Sequence, residues 1–150
     1  MKRLVHTLVL SLKGITGALM VSLWLCLLWQ VFARYVLKSP STVTEELARI
    51  LLMWLGTLGA SLGFLLNQHI AFDWLIEKGS PKMRLFVRDF ALAMCVVFGL
   101  MCLIAGSPVV AKTWALGQVT PVLKVKWALV YLALPIAGFF ICLSPFHEEG

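Results

Sequence analysis

Residues 15–37 read ITGALMVSLWLCLLWQVFARYVL, and Arg34 is the only charged side chain in this stretch. A helix that crosses the hydrocarbon core of a bilayer needs about 20 mostly apolar residues. In lipid, the backbone of a spanning segment must satisfy its own hydrogen bonds, and an α-helix does so. The stretch therefore predicts a membrane-spanning helix. Three further runs have similar character, and we predict spans at about 45–67, 84–107 and 126–144.

The overall composition agrees with a chain that lies almost entirely in lipid. Hydrophobic residues make up 61% of the chain and charged residues 13%, whereas soluble domains have about 45–50% and about 25%. So few charges cannot cover a water-facing surface. Four spans leave little chain for a second domain, so we predict one all-α domain over residues 1–150, an integral membrane four-helix bundle.

Two short segments outside the spans have amphipathic patterns. In residues 2–13, apolar side chains recur on one helical face and basic side chains on the other. In residues 69–78, His69, Asp73 and Glu77 share one helical face. Helices of this kind lie in the plane of the membrane surface. We predict interfacial helices over both segments; for the first, an inward extension of the neighbouring span is the alternative.

The basic residues flank the predicted spans. The chain has 13 Lys and Arg against 7 Asp and Glu, a formal net charge of +6. Their position indicates membrane topology, and we predict no nucleic-acid partner. With both termini in the cytoplasm, seven basic residues lie on that side (Lys2, Arg3, Lys13, Lys78, Lys82, Arg84, Arg88) and five near the other (Arg34, Lys38, Lys112, Lys124, Lys126). This bias predicts cytoplasmic N and C termini in the bacterial inner membrane.

Charged residues gather at the first predicted hairpin. Arg34 lies near the end of the first span, and Glu45, Glu46 and Arg49 lie at the start of the second. A short antiparallel connection brings Arg34 and the two glutamates to similar depth. Residues 42–45 (TVTE) also match a capping box. Because unpaired charges at a membrane boundary are costly, two interpretations stay open: an internal staple of the hairpin, or a docking surface for a larger membrane partner.

Small residues recur along one face of the second span, at Gly56, Gly59, Ala60 and Gly63. Small side chains let helix backbones approach closely, which favours helix association in lipid. Packing inside this chain and packing on a partner are both compatible with the pattern. The fourth span has a second small-residue face, made by Ala133, Ala137 and Gly138.

The sequence contains no convincing catalytic or metal-binding motif. The cysteines lie inside apolar spans without a CxxC pair, at Cys26, Cys95, Cys102 and Cys142. The histidines lie near span ends, at His6, His69 and His147, which does not favour a haem. The middles of the spans hold only mildly polar groups, such as Ser22, Thr57 and Ser61. Since ionisable groups deep in the membrane mark substrate routes, we predict a protein that is not an enzyme, needs no cofactor, and does not bind a transported solute alone.

Four short motifs follow one another in a familiar order: Phe32-Ala-Arg34-Tyr35, Glu45-Glu46-Leu47-Ala48-Arg49, Gly59-Ala60 and His69-Ile70-x-x-Asp73. Together with the four spans and the chain length, they resemble the small, Q-type (DctQ-like) membrane subunit of tripartite ATP-independent periplasmic (TRAP) transporters. One departure is Asn67-Gln68 before His69, where many members of the family carry a basic residue.

The resemblance implies partners and a role that the residues alone do not. Such a subunit works with a large, M-type membrane subunit and a periplasmic substrate-binding protein in sodium-driven symport of an organic acid. The large subunit carries the substrate and sodium sites, and the small one anchors the fixed scaffold among membrane lipids. Carried over by motif, the candidate structural or docking residues are Arg34, Glu45, Glu46, Arg49, His69 and Asp73.

The residues also allow two alternative interpretations of the function. A self-associating small multidrug-type exporter needs an acidic residue deep in a span, but Glu45 and Glu46 lie at a span's start. A membrane redox protein needs facing histidines or paired CxxC motifs. The exporter is the stronger alternative.

Overall fold

The computed structural model describes residues 2–66 and 81–143. These residues form five helices, and the described ranges contain no β-strand beyond one isolated bridge between Val119 and Lys126. The helices are α1 (Lys2–Tyr35), α2 (Thr42–Leu65), α3 (Pro81–Ala115), α4 (Trp127–Tyr131) and α5 (Ala133–Cys142). The all-α prediction is therefore confirmed. The predicted interfacial helix over 69–78 lies outside the described residues.

Three helices are long and apolar enough to cross a membrane. The candidate spans are Thr7–Tyr35, Thr42–Leu65 and Asp89–Ala115, and Trp127–Cys142 is a shorter apolar segment. α3 continues beyond the predicted end of the third span at 107, through Pro108, to Ala115.

Residues 2–13 are the first part of α1 and not a separate helix, which corrects our first interpretation in favour of its alternative. Gly14, the residue that follows, costs a helix about 1 kcal/mol relative to alanine but still donates its backbone hydrogen bond. The buried side chains of Val9 and Leu12 form a cluster with Leu58 and Leu65 of α2. These contacts hold the segment against α2.

The start of α2 also differs from the predicted capping box. Ser41 is the N-cap, and its hydroxyl accepts a hydrogen bond from the Thr44 backbone N–H at 3.4 Å. The Thr44 hydroxyl donates in return to the Ser41 carbonyl at 3.1 Å. The helix cap therefore lies one residue earlier than the sequence match, and its second hydrogen bond goes to the Ser41 carbonyl and not to the Ser41 N–H of a capping box. This shift leaves Glu45 outside the cap.

The fourth predicted span, 126–144, is divided at Leu132 into α4 and α5. Pro135 has no backbone N–H to donate to the Tyr131 carbonyl, and a proline ring also crowds the carbonyl four residues before it. The helical bonds resume when the Ile136 N–H donates to the Leu132 carbonyl at 3.3 Å. One proline therefore explains why this segment is two short helices.

The helices follow one another in space in the order α1, α2, α5, α3. α1 packs on α2, α2 packs on α5, and α5 packs on α3. The short helix α4 also packs on α3. Long helices that follow one another along the chain run antiparallel, as the contacts near the two ends of the layer indicate. One end therefore gathers the start of α1, the end of α2, the start of α3 and the end of α5. The opposite end gathers the charged hairpin and the loop after α3.

Glycines form the seam between α3 and α5. A Cβ atom on Gly138 would lie 2.7 Å from the Gly99 carbonyl oxygen and 2.9 Å from Cys102 Cβ. The two backbones are therefore in direct contact at this level. Ala133 and Ala137 are also buried, so the small-residue face predicted for the fourth span does face a neighbouring helix.

Candidate functional site

The charged end of the layer begins with a link between α1 and α2. Gln30 on α1 donates from Nε2 to the Thr44 carbonyl oxygen at 2.8 Å. A backbone carbonyl oxygen has two lone pairs. The Thr44 carbonyl in the first turn of α2 can therefore accept a hydrogen bond from a side chain as well as one within the helix. Gln30 therefore joins the two helices of the hairpin, a role that the sequence pattern does not indicate.

Glu46 binds the loop that connects α3 to α4. Its Oε2 accepts from the Val122 N–H at 2.9 Å and its Oε1 from the Leu123 N–H at 3.1 Å. Hydrogen bonds to a charged acceptor are stronger than those between neutral groups. Glu46 thus anchors a segment that lies 76 residues away along the chain.

The loop that Glu46 holds has an ordered structure of its own. The Thr120 N–H donates to the Val125 carbonyl at 2.8 Å, and the Val125 N–H donates back to the Thr120 hydroxyl at 3.1 Å. Thr120 is fully buried. Lys124 turns the chain with a positive φ of 56°, and the Lys126 ammonium lies 4.1 Å from the Trp114 ring centroid. The loop is therefore a compact hairpin clamped to α2.

Glu45 and Arg49 form an ion pair one helical turn apart on the surface of α2. The two side chains are 57% and 76% exposed, respectively. Exposed pairs at this spacing contribute about 0.3–0.5 kcal/mol. The pair adds little to the stability of this fold, so its position on an outward face is the feature of interest.

Arg34 does not pair with either glutamate. Among residues 2–66 and 81–143 the ion pair present is that between Glu45 and Arg49. Arg34 instead lines an open groove of about 680 Å³ between the end of α1 and the start of α2. In the structure, Glu45 and Arg49 therefore pair with each other, Glu46 binds the loop after α3, and Arg34 lines the groove. His69 and Asp73 lie outside the described residues.

The predicted small-residue face of α2 makes no close contact with the other described helices. A Cβ atom on Gly56, Gly59 or Gly63 would meet no described residue beyond its own helix turn within 4 Å. Gly56 and Ala60 are exposed, and the other two positions are half-buried. Close packing inside the chain uses Gly99 and Gly138 instead. A signal for that seam was present, because Gly99 and Gly106 are seven residues apart and share a helical face.

Hydroxyl groups within the helices are satisfied by their own backbone. Each donates to the carbonyl four residues earlier, as seen for Thr16, Ser22, Thr57, Ser61, Ser107 and Thr113. Within the described part of the chain, no three His, Cys, Asp or Glu residues are grouped so that they could hold a metal ion. The described interior is thus made of apolar contacts and self-satisfied hydroxyls.

Comparison with protein families gives this arrangement a context. The sequence model for "Tripartite ATP-independent periplasmic transporters, DctQ component" matches residues 23–147, which include the charged hairpin, the loop and the glycine seam. The chain belongs to this family. It is therefore a multi-pass membrane protein and the small permease subunit of a TRAP transporter, as the ordered motifs predicted.

Individual relatives agree with the family assignment. A putative TRAP transporter small permease protein of Haemophilus influenzae is 28% identical over 144 residues, which cover 94% of this chain and 86% of the relative. The sialic acid TRAP transporter small permease protein SiaQ of Vibrio cholerae is 28% identical over 128 residues, covering 85% of this chain and 72% of SiaQ. The sialic acid TRAP transporter permease protein SiaT of H. influenzae is 31% identical over 81 residues, which are 54% of this chain but 13% of SiaT.

The partners in two contacts of this DctQ component could not be predicted from the sequence. Nothing in the linear pattern connects Glu46 with residues 120–123, because the contact depends on how α2 and the loop after α3 meet in space. The Gln30–Thr44 bond likewise depends on the rotation of α1 against α2. Both contacts belong to the structure of the subunit itself.

Proposed function

We propose that this DctQ component anchors and stabilises the large, M-type membrane subunit of its transporter. In this proposal, a periplasmic substrate-binding protein delivers an organic acid, and a sodium gradient drives its uptake through the large subunit. The subunit lies in the bacterial inner membrane with both termini in the cytoplasm. The observation that carries the proposal is the outward face of α2, which has an exposed charged pair and exposed small residues with room for another helix to approach.

The relationship to a longer permease supports a partner of this kind. The 81 residues that match SiaT are a small fraction of that protein. A DctQ-like segment within a longer TRAP permease is expected if small and large parts work as one unit. The self-satisfied hydroxyls of the described helices also favour a supporting role, since they offer no unpaired polar group to a solute in the membrane interior.

We define the outward face of α2 by Glu45, Arg49, Leu52, Gly56 and Ala60. These residues are exposed and recur at helical spacing, so they form one stripe from the charged end towards the middle of the helix. Exposed small residues let a second helix approach closely in lipid. The ion pair at the end of the stripe would set the depth and register of that helix. We assign the stripe to a membrane helix of the large subunit.

Co-purification from mild detergent tests this assignment. The tagged chain is expressed with its native membrane neighbours, as wild type, as the double variant Gly56→Leu plus Ala60→Leu, and as Gly17→Leu. Gly17 on α1 is a matched control, because a Cβ atom there also meets nothing within 4 Å. We expect a stoichiometric large membrane protein with wild type and Gly17→Leu, and its loss with the double variant.

The other outcomes are equally informative. A large partner that is retained by the double variant would refute the docking face but keep the subunit role. A homo-oligomer with no large partner would refute the subunit role and favour the self-associating exporter. Uptake by liposomes that hold both subunits, with and without sodium and the binding protein, tests the coupling.

A further inference from the structure

The groove between the end of α1 and the start of α2 has two chemically different parts. The polar lining residues are Gln30, Arg34, Tyr35, Ser41 and Glu45, and the apolar lining residues are Leu27, Val31 and Pro40. The groove has a volume of about 680 Å³ and is open to the outside. A ligand that fits it must therefore carry an anionic or polar end and an apolar end.

The position of Arg34 along α1 indicates how deep in the membrane the polar part of the groove lies. Arg34 is the penultimate residue of the candidate span Thr7–Tyr35, so its guanidinium lies at the membrane boundary. It has no ion-pair partner in 2–66 or 81–143. The Arg34 side chain is exposed, so its guanidinium is open to an anion from outside the chain. Charged side chains near a membrane boundary favour a partner of opposite charge, which an anion at headgroup depth would supply.

The apolar part of the groove continues into the membrane. Val31 and Leu27 precede Arg34 by three and seven residues, so at 1.5 Å per residue they lie about 4.5 Å and about 10 Å deeper along the helix. Both side chains are exposed. They form a path from the arginine towards the hydrocarbon core, at the depth where acyl chains begin.

We propose that this groove holds an anionic phospholipid, with the lipid phosphate on the Arg34 guanidinium and an acyl chain along Val31 and Leu27. The planar guanidinium donates two parallel hydrogen bonds to phosphate oxygens. The Tyr35 and Ser41 side chains border the same pocket. Glu45 also lines the groove, but its carboxylate is paired with Arg49, so the arginine supplies the unbalanced charge there.

A lipid fits this groove better than an acidic side chain of a protein partner. A carboxylate from a partner would use the polar part alone, whereas a phospholipid uses the polar and apolar parts together. Its headgroup and chains also lie at the depths that the span assigns to Arg34 and Leu27. The proposal does not depend on the identity of the large subunit or on the outward face of α2.

Native mass spectrometry of the full chain in detergent tests the proposal. The probe is dioleoyl phosphatidylglycerol, titrated against dioleoyl phosphatidylcholine and against glycerol phosphate, which has no acyl chains. The variants are Arg34→Gln, Arg34→Lys and, as a matched control, Lys112→Gln, which removes an exposed positive charge near the end of α3 that does not line the groove. Circular dichroism confirms that each variant keeps its helical content.

We expect the wild type to bind phosphatidylglycerol in preference to the other two probes. Arg34→Gln should weaken this binding about tenfold, because it loses hydrogen bonds between charged groups. Arg34→Lys should lose less, and Lys112→Gln should bind as the wild type. Equal binding by Arg34→Gln and wild type would overturn the proposal. So would an Arg34→Gln variant that loses a co-purified membrane protein while it keeps its lipid, since that result assigns the arginine to a protein contact.

Discussion

Gly138→Ala should destabilise the subunit, although alanine is ordinarily the better helix residue. The new Cβ atom would lie 2.7 Å from the Gly99 carbonyl oxygen and 3.0 Å from the Leu103 backbone nitrogen. Non-bonded heavy atoms pack best at about 3.5 Å or more, so the methyl group overlaps the Gly99 oxygen by about 0.8 Å. Because the crowded atoms belong to the backbone of α3, no side-chain rotation relieves the contact, and the two helices must separate.

The expected loss of stability of Gly138→Ala combines two opposing contributions to the free energy of unfolding. Forcing a methyl group into a packed seam costs about 1–3 kcal/mol, and replacing glycine by alanine in a helix returns about 0.5–1 kcal/mol. We therefore expect a net loss of about 1–2 kcal/mol. Gly59→Ala is the matched control, because its Cβ atom would meet nothing within 4 Å. The control should gain stability from the helix term alone.

The assay is thermal unfolding of both variants in detergent, followed by circular dichroism and by size-exclusion recovery after heating. Opposite signs for Gly138→Ala and Gly59→Ala are the expected result. If both variants shift the midpoint in the same direction by similar amounts, the seam is not as tight as the Gly99–Gly138 contact indicates. In that case, the order α1, α2, α5, α3 would also need revision.

Two further predictions concern the charged end. Ser41→Ala should cost about 1 kcal/mol through loss of the N-cap, whereas Thr42→Ala should be nearly neutral, and thermal unfolding of the pair distinguishes the observed cap from the one that the sequence match favoured. Glu46→Ala should free the clamped loop and speed trypsin cleavage after Lys124 in the purified protein, while Glu45→Ala should leave the cleavage rate unchanged. Equal rates for the two glutamate variants would contradict the anchoring role of Glu46.

The positions of the long helices could be predicted because bilayer thickness dictates the length of an apolar run. Their ends could not be predicted as well, because local chemistry decides them. Ser41 competes with Thr42 for the cap, and the division at Leu132 arises from a missing N–H at Pro135. The pattern of residues 2–13 is compatible with a separate helix and with a continuous α1, since one glycine at position 14 weakens a helix without ending it.

The candidate site was predictable in its residue types and less so in its pairings. The cluster of Arg34, Glu45, Glu46 and Arg49 is indeed at one end of the layer, yet its members have different surroundings. The Glu45–Arg49 pair follows from helical spacing. The partners of Glu46 depend on the three-dimensional meeting of distant segments, and the Arg34 groove depends on how the end of α1 lies against the start of α2.

The glycines show how one small subunit can hold itself together and still offer a surface to another protein. The tightest glycines are at the α3–α5 seam, whereas a Cβ atom added to Gly56, Gly59 or Gly63 of α2 would meet nothing outside its own helix turn within 4 Å in the described chain. Contacts with α1 and α5 bury Leu58 and Leu65 on the inner side of α2 and leave Gly56 and Ala60 exposed. Stability of the chain therefore depends on the seam and the clamped loop, while the outward face of α2 is free to change without loss of the fold. This separation leads us to expect that substitutions at Gly56 alter partner binding and substitutions at Gly138 alter stability.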